Sequence, residues 1–420
     1  MQRKAIYQES KVGKVLAIVL GETIHTQPIY IAKFRGGIIL SQLLTKQTIY
    51  SYLQDHEQGM LDDLIEFVKK ESPSCNKELV DECGTYLTHL FQRRLDIEHY
   101  EVIKETKVGN HMKFTIGKGE QQILIIGHFD TVWEKGRLKL KKEGNKLFGP
   151  GILDMKGGII QSLWAIKAIQ ELELPLNKKI VFLCNSDEEI GSVASKEYIE
   201  EEAKKSEAVL VAEPAVAGSG ALKTSRKGAG IFKLKIWGRA AHAGNHHEDG
   251  VNAIEELAKQ VILLQKLTNY QKGTTVNVGT ITGGSGTNVV PEYAEADIDL
   301  RVSTEEEAKR VTDIILNLKP LSNEIKLEVT GGMNRPPMVK TEQTQELFEC
   351  AQAIASELDI DLEEAAVGGG SDGNFTAAIG IPTLDGLGAC GKGIHAAHEH
   401  IQIDKLAERS SLFANLLLKL

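Results

Sequence analysis

Three short runs with no polar face limit what this chain can fold into. They are QQILIIG, KKIVFLCN and EAVLVAE, and helical stretches separate them. A strand with one wet face alternates apolar and polar residues, whereas a strand covered on both faces does not. Residues 157–172 read as a helix, with Ile160, Leu163, Trp164 and Ile166 facing a core, and residues 193–203 read as another. Upstream, Leu61, Leu64, Ile65 and Val68 recur at helical spacing, and a second helix follows through Leu79, Val80, Tyr86, Leu87, Leu90 and Phe91. The fold class is therefore α/β, a mostly parallel sheet with helices on both faces.

The pattern changes near Lys223. GIFKLKIWGRA alternates in part, so one sheet face should be wet. A helix over 250–267, strands near 275–281 and 294–302, a helix capped by Ser303–Thr304, and the strand IKLEVTGG complete the unit. This order is the ferredoxin-like α+β pattern, inserted in the larger domain. Arg335–Pro336–Pro337 reads as the return linker, followed by the helix TQELFECAQAIASEL and a strand near 382–384. The expected division is an N-terminal segment of uncertain role at 1–50, a metal-binding domain at 51–223 and 337–420, and the insertion at 224–336.

Of the 420 residues, 42% are hydrophobic and 25% charged, ordinary for a globular protein, and the net charge of -9 disfavours nucleic acid or an anionic membrane as partner. The five cysteines are scattered and form no Cys-x-x-Cys pair, so neither a disulfide framework nor a thiolate zinc site is expected. The apolar run 15–20 is short and no cleavage-site pattern follows it, so a cytoplasmic protein is expected.

Acidic residues and histidines cluster just past the strand ends. QQILIIG leads to His128-Phe129-Asp130, KKIVFLCN to Asp187-Glu188-Glu189, and EAVLVA to Glu213; the C-terminal part adds GIHAAHEH. Taken singly, each is the kind of residue that forms turns or caps helices. Together, at the carboxyl edge of one sheet where such folds bind ligands, they would repel one another unless a multivalent cation offset the charge. Histidine and carboxylate without cysteine suit zinc in an open site. Asp130, two residues after His128, suits a neighbour that fixes the imidazole tautomer.

The words around these residues resemble one family. In order they are GHFDTVW, GPGILDMKGG, NSDEEIGS, VAEP, RAAHAG, GGGSDGN and GIHAAHEHI, spanning roughly residues 51–420. They look like the motifs of the dinuclear zinc peptidases and deacylases, which have a zinc exopeptidase-like fold and include glutamate carboxypeptidase, acetylornithine deacetylase, succinyl-diaminopimelate desuccinylase and aminoacylase. GPGILDMKGG and VAEP look most like the glutamate carboxypeptidase branch. The resemblance implies two divalent ions, zinc first and cobalt or manganese next. Asp154 would bridge them, with His128 and Glu213 on one side and Glu189 and His395 on the other. Glu188 would be the general base. Spacing alone does not decide which glutamate ligates. His395 is chosen over His398 and His400 because it follows a glycine-rich turn and has Glu399 four residues on, as the family's ligand does. His398 and His400 are then read as solvated surface.

The resemblance further implies that His242 binds the oxyanion, often across a dimer, and that Asn288 and Arg301 hold a substrate carboxylate. The bland reading of Arg301 is a salt bridge at a strand end. GGGSDGN lacks the lysine of a phosphate loop, so Gly368, Gly369 and Gly370 are read as a close approach of backbone to substrate through unusual dihedrals. The expected function is metal-dependent amide hydrolysis. An exopeptidase releasing a C-terminal residue such as glutamate comes first, an N-acyl amino acid deacylase or desuccinylase second, and a non-catalytic metal-binding protein third. The expected partners are a small peptide or N-acyl amino acid and a second copy of the chain, joined through the insertion.

Overall fold

The computed structural model describes residues 48–420 and three short antiparallel strands near the N terminus, Ala5–Ser10, Gly13–Ile18 and Ile31–Ala32. The apolar run 15–20 forms part of the second strand as far as Ile18; its last two residues lie outside the described residues. Helices α1 (Glu57–Val68) and α2 (Lys77–Arg94) come next, then strands β1 (His99–Ile103), β2 (His111–Ile116) and β3 (Gln122–His128). Helix α3 (Gly157–Glu171), strand β4 (Lys179–Asn185), helix α4 (Lys196–Ala203) and strand β5 (Ser206–Val211) follow. Strand β6 (Leu222–Arg226) leads into β7 (Gly228–Trp237), α5 (Ala253–Gln265), β8 (Thr275–Gly283), β9 (Tyr293–Val302), α6 (Glu305–Leu316) and β10 (Lys326–Arg335). The chain closes with α7 (Glu342–Glu357), β11 (Glu364–Val367), β12 (Thr383–Leu384) and α8 (Leu406–Lys419).

The large sheet has the order β12-β5-β3-β4-β2-β1. Its first three pairings are parallel and its last two antiparallel, so the sheet is mixed rather than mostly parallel. The departure is local. Residues 104–110 join β1 to β2, too few for a crossover helix, so the pair can only turn back on itself. The parallel part is buried on both faces, as its apolar runs require. Ile123 and Ile125 of β3 face the core made with α1, α2, α3, α7 and α8, whereas Leu124 and Ile126 face Ile199 and Ala203 of α4 and Phe375. Within the first core, the Phe91 ring stacks on Phe114 at 4.1 Å and meets Phe182 edge-on at 5.1 Å. Burying one such ring contributes about 1.5–3 kcal/mol.

The inserted sheet has the order β8-β9-β7-β10, antiparallel throughout, as in a ferredoxin-like unit. Alternate residues of β7 and β9 (Phe232, Leu234 and Ile236; Ala294, Ala296, Ile298 and Leu300) pack on α5 and α6 into a core of their own. The remaining residues of β9 face outward. Thr304 caps α6 through the Glu307 N–H at 3.3 Å, as its sequence announces. Helix α5 starts three residues later than the apolar pattern, because the Asn252 side chain caps it through the Glu255 N–H at 3.0 Å.

Candidate active site

Strands β3, β4 and β5 are parallel neighbours, so their carboxyl ends deliver His128, Glu188–Glu189 and Glu213 to one edge. The Phe129 N–H bonds the Asn185 carbonyl at 3.0 Å and continues the pairing past His128. Asp154 comes from an irregular turn, Ile152–Lys156, that leads into α3. His395 comes from the loop between β12 and α8 and has a φ of +57°. A non-glycine residue there costs about 1–3 kcal/mol, so the surrounding turn must hold it.

These side chains converge. His128 Nε2 lies 3.0 Å from Asp154 Oδ1 and 3.5 Å from Glu213 Oε1. His395 Nε2 lies 3.0 Å from Glu189 Oε2 and 3.4 Å from Asp154 Oδ2. The two Asp154 oxygens thus face different histidines. Two donors sharing one zinc ion, each ~2.0–2.2 Å from it, sit roughly 3.3 Å apart, so these spacings fit a metal. His128, Asp154 and Glu189 present donor atoms within 4.8 Å of one another, a set able to hold one ion.

The electrostatics favour a cation. Burial pulls His128 down, but Asp130, Asp154 and Glu213 outweigh it and lift the imidazole well above its ordinary range. Asp154 and Glu189 push His395 up to about 10. Burial would raise Asp154, yet hydrogen bonds with His128 and His395 hold it far below the usual carboxylate range. Burial pushes Glu189 up to about 7. It also lifts Glu188 well above its ordinary value, against the pull of Arg335 and His128.

His398 is exposed, but His400 is buried, which corrects its reading as surface. It sits on a short strand paired with Lys146–Phe148, its ring 4.9 Å from that of Phe148. Asp130 is fully buried behind His128. Its backbone oxygen lies 3.1 Å from His128 Nδ1 and its Oδ1 3.5 Å. Two acceptors at Nδ1 keep the ring proton there and leave the Nε2 lone pair facing the cluster. Asp130 also accepts the N–H groups of Glu188 and Glu189, both at 3.2 Å, so it is a positioning residue.

The sequence reading missed a layer of charges. Arg335, taken for part of a linker, donates to Glu188 Oε1 at 2.8 Å and to Asp372 Oδ1 at 2.7 Å. Arg226 forks onto Asp385 at 2.6 and 2.8 Å, and reaches Glu213 Oε2 at 3.1 Å. It also donates to the carbonyls of Gly369 and Gly370. Lys223 is buried, with Glu213 Oε2 at 4.0 Å. Burial and Arg226 hold its ammonium below the usual lysine range. Glu399 Oε1 accepts the N–H groups of Leu153 and Asp154, at 2.9 and 3.2 Å, and Trp133 donates to its Oε2 at 2.6 Å. The excess of acid at the strand ends was the available signal, since buried carboxylates need cations nearby.

A cleft of about 410 Å³ opens on Asp154, Glu188, Glu189, Glu213 and His395, with Gly369 and Gly370 on its wall. A side chain built at Gly368 or Gly369 would meet nothing within 4 Å, so the backbone borders open space. None of Gly368, Gly369 and Gly370 has a positive φ, which corrects the expected unusual dihedrals. His242, Asn288 and Arg301 do not line this cleft. His242 and Asn288 are neighbours, with the Ala243 N–H bonding the Asn288 carbonyl at 2.9 Å, and both lie past the Trp237–Tyr293 end of the inserted sheet. Arg301 sits at the opposite end, on the outer face, and forks onto Asp299 at 2.8–3.1 Å.

Comparisons with known proteins agree with this architecture. Residues 124–419 match the family described as Peptidase family M20/M25/M40. Carboxypeptidase G2 of Pseudomonas sp. (strain RS-16) is 29% identical over 401 residues, covering 92% of this chain and 95% of that protein. A succinyl-diaminopimelate desuccinylase of Psychrobacter sp. (strain PRwf-1) is 27% identical over 392 residues, covering 86% and 96%. Further curated relatives carry the names succinyl-diaminopimelate desuccinylase and acetylornithine deacetylase. The crystal structure of a tripeptidase from Staphylococcus aureus superposes with a TM-score of 0.72 at 23% identity, covering 87% of this chain and 99% of that one. The chain belongs to peptidase family M20/M25/M40 and is a metal-dependent hydrolase.

Proposed function

We propose that this chain hydrolyses the amide of an N-acyl amino acid. The observation that carries the reading is Glu188, pinned by Arg335 through Oε1 while its Oε2 faces the His128–Asp154–Glu213 side of the cluster, 4.0 Å from His128 Nε2. Asp154 would bridge two divalent ions, with His128 and Glu213 holding one and Glu189 and His395 the other; the imidazole and carboxylate donors suit zinc. When bound, the ions supply Lewis acidity and lower the pKa of water in the site. Glu188 Oε2 takes the proton of the attacking water and returns it to the leaving nitrogen. His242 accepts the N–H groups of Gly244 and Asn245 at Nδ1, at 3.1 and 3.0 Å, so its own proton sits on Nε2, free to donate to the oxyanion. Asn288 and the Gly369 backbone hold the substrate carboxylate; Arg301, expected to join them, is engaged by Asp299 at the far end of the inserted sheet. The domain limits we propose are 51–226 with 337–420, and 227–336, three residues from those read in the sequence. Thr224–Arg226 pass to the larger unit, because β6 pairs with β11.

A deacylase leads because most of the curated relatives named above carry deacylase names. Release of a C-terminal residue from a peptide, which the sequence put first, is the second reading. It rests on the near full-length similarity to carboxypeptidase G2. Rates of the zinc-, cobalt- and manganese-loaded enzyme on N-acetyl and N-succinyl amino acids against dipeptides and tripeptides decide between them. A deacylase prefers the acyl amino acids; equal or faster peptide cleavage refutes that reading.

A further inference from the structure

Three arginines are buried among the described residues, and one of them holds no acid. Arg226 and Arg335 each engage two carboxylates. Arg409, 2% exposed on α8, donates to the carbonyls of Gly220, Gly386 and Gly388 at 3.0, 2.7 and 3.3 Å, and to no carboxylate among the described residues. A guanidinium has five N–H donors, so two remain, and a buried charge is normally paired with an opposite one. Arg409 lines a cavity of about 240 Å³ outside the active cleft. Lys405 and Glu408 line it too, but they neutralise each other at 2.8 Å. Asp359 and Asp361 also line it; both are exposed, and neither makes a side-chain hydrogen bond or ion pair with a described residue. The cavity therefore offers one unneutralised cation and two free carboxylates. At about 30 Å³ per water it has room for roughly eight, the bulk of a small amino acid. Val216 lines both this cavity and the active cleft, in a turn closed by the Gly220 N–H on the Val216 carbonyl at 2.9 Å.

We propose that this cavity binds a free α-amino acid, with its carboxylate on Arg409 and its ammonium on Asp359 and Asp361. The zwitterion supplies the counter-charge to each. The route from here to the active cleft is short. Arg409 holds the turn that carries Val216 through the Gly220 carbonyl, and it holds the Gly388 carbonyl as well. The Gly388 N–H in turn bonds the Glu213 carbonyl at 2.8 Å. A carboxylate drawing on the guanidinium loosens those bonds, so an occupied cavity slows hydrolysis. Cleavage of an N-acyl amino acid releases this class of molecule, and the product then restrains its own formation. The binding site stands independently of the proposed reaction; the restraint rests on it.

Calorimetry on the purified, metal-loaded protein with L-alanine as the probe tests the site. Propionate and alaninamide each lack one of its charges. A charged hydrogen bond predicts that each binds roughly 10–100-fold more weakly than alanine. The double variant Asp359→Asn/Asp361→Asn changes two exposed side chains, so it keeps the fold and the basal rate. It brings alanine down to the level of propionate. Alanine slows the wild type even at saturating substrate, and the double variant escapes. Alanine that binds wild type and double variant equally, or whose inhibition excess substrate abolishes, sits in the active cleft and overturns the proposal. So does the absence of binding at millimolar concentration. Binding that the double variant loses, with no slowing of the wild type, supports the site and overturns the restraint. A protein that cleaves no amide fails the hydrolase reading, and calorimetry still decides the site.

Discussion

Arg335 shows how much of the site depends on one side chain. It joins the end of β10 to Glu188, Asp372 and the Ser192 hydroxyl, and its guanidinium lies 4.8 Å from the Phe375 ring. Removing one partner of a buried pair costs about 3–5 kcal/mol. Arg335→Met should therefore lower stability by about that amount. It should also change the chemistry. Glu188 is already lifted by burial, and the guanidinium pulls it down. Without Arg335 the carboxyl rises further. The base must be ionised, so the acidic limb of kcat/KM against pH should move to higher pH. A loss of stability with an unmoved limb would make Arg335 a structural residue only. The sequence could not announce this role. Arg335 and Glu188 are 147 residues apart, and a lone arginine before two prolines reads as a linker. His128 and Asp154, by contrast, stand in long motifs and were legible. His395 was separable from His400 only through the glycine-rich turn before it and Glu399 four residues on.

Among elements, legibility followed burial. β3, β4 and β5 are buried along almost their whole length, so their apolar runs marked them, and residues at or just past their ends supply His128, Glu188, Glu189 and Glu213 to the cluster. β1 is mostly exposed and β2 only partly apolar, and the sequence reading passed over both. Missing them made the sheet look mostly parallel. The insertion was read in the right order because β9 alternates cleanly over one covered face and β7 does so in part. The fate of Arg301 was not readable from its strand. Asp299 lies two residues back on the same face, and the pair forms the salt bridge that the bland reading foresaw.

Over the whole molecule, the insertion sets the reach of the site. β7 leaves the larger unit at Gly228 and runs ten residues, roughly 30 Å of strand, before the segment that carries His242. We propose that His242 and Asn288 complete the cleft of a second copy of the chain. Light scattering should find a dimer at micromolar concentration; a fully active monomer would contradict this. The central claim is that His128, Asp154, Glu189, Glu213 and His395 hold two ions beside the base Glu188. Metal analysis of the purified enzyme, read together with its rate, tests it most directly. The account predicts about two ions per chain, as a two-metal hydrolase requires. It predicts loss of activity on chelation and recovery with zinc, cobalt or manganese. It also predicts a Glu188→Gln enzyme that keeps its metal but is about 10²–10⁴-fold slower, the usual contribution of general acid–base catalysis. Full activity in the chelated, metal-free protein would contradict it.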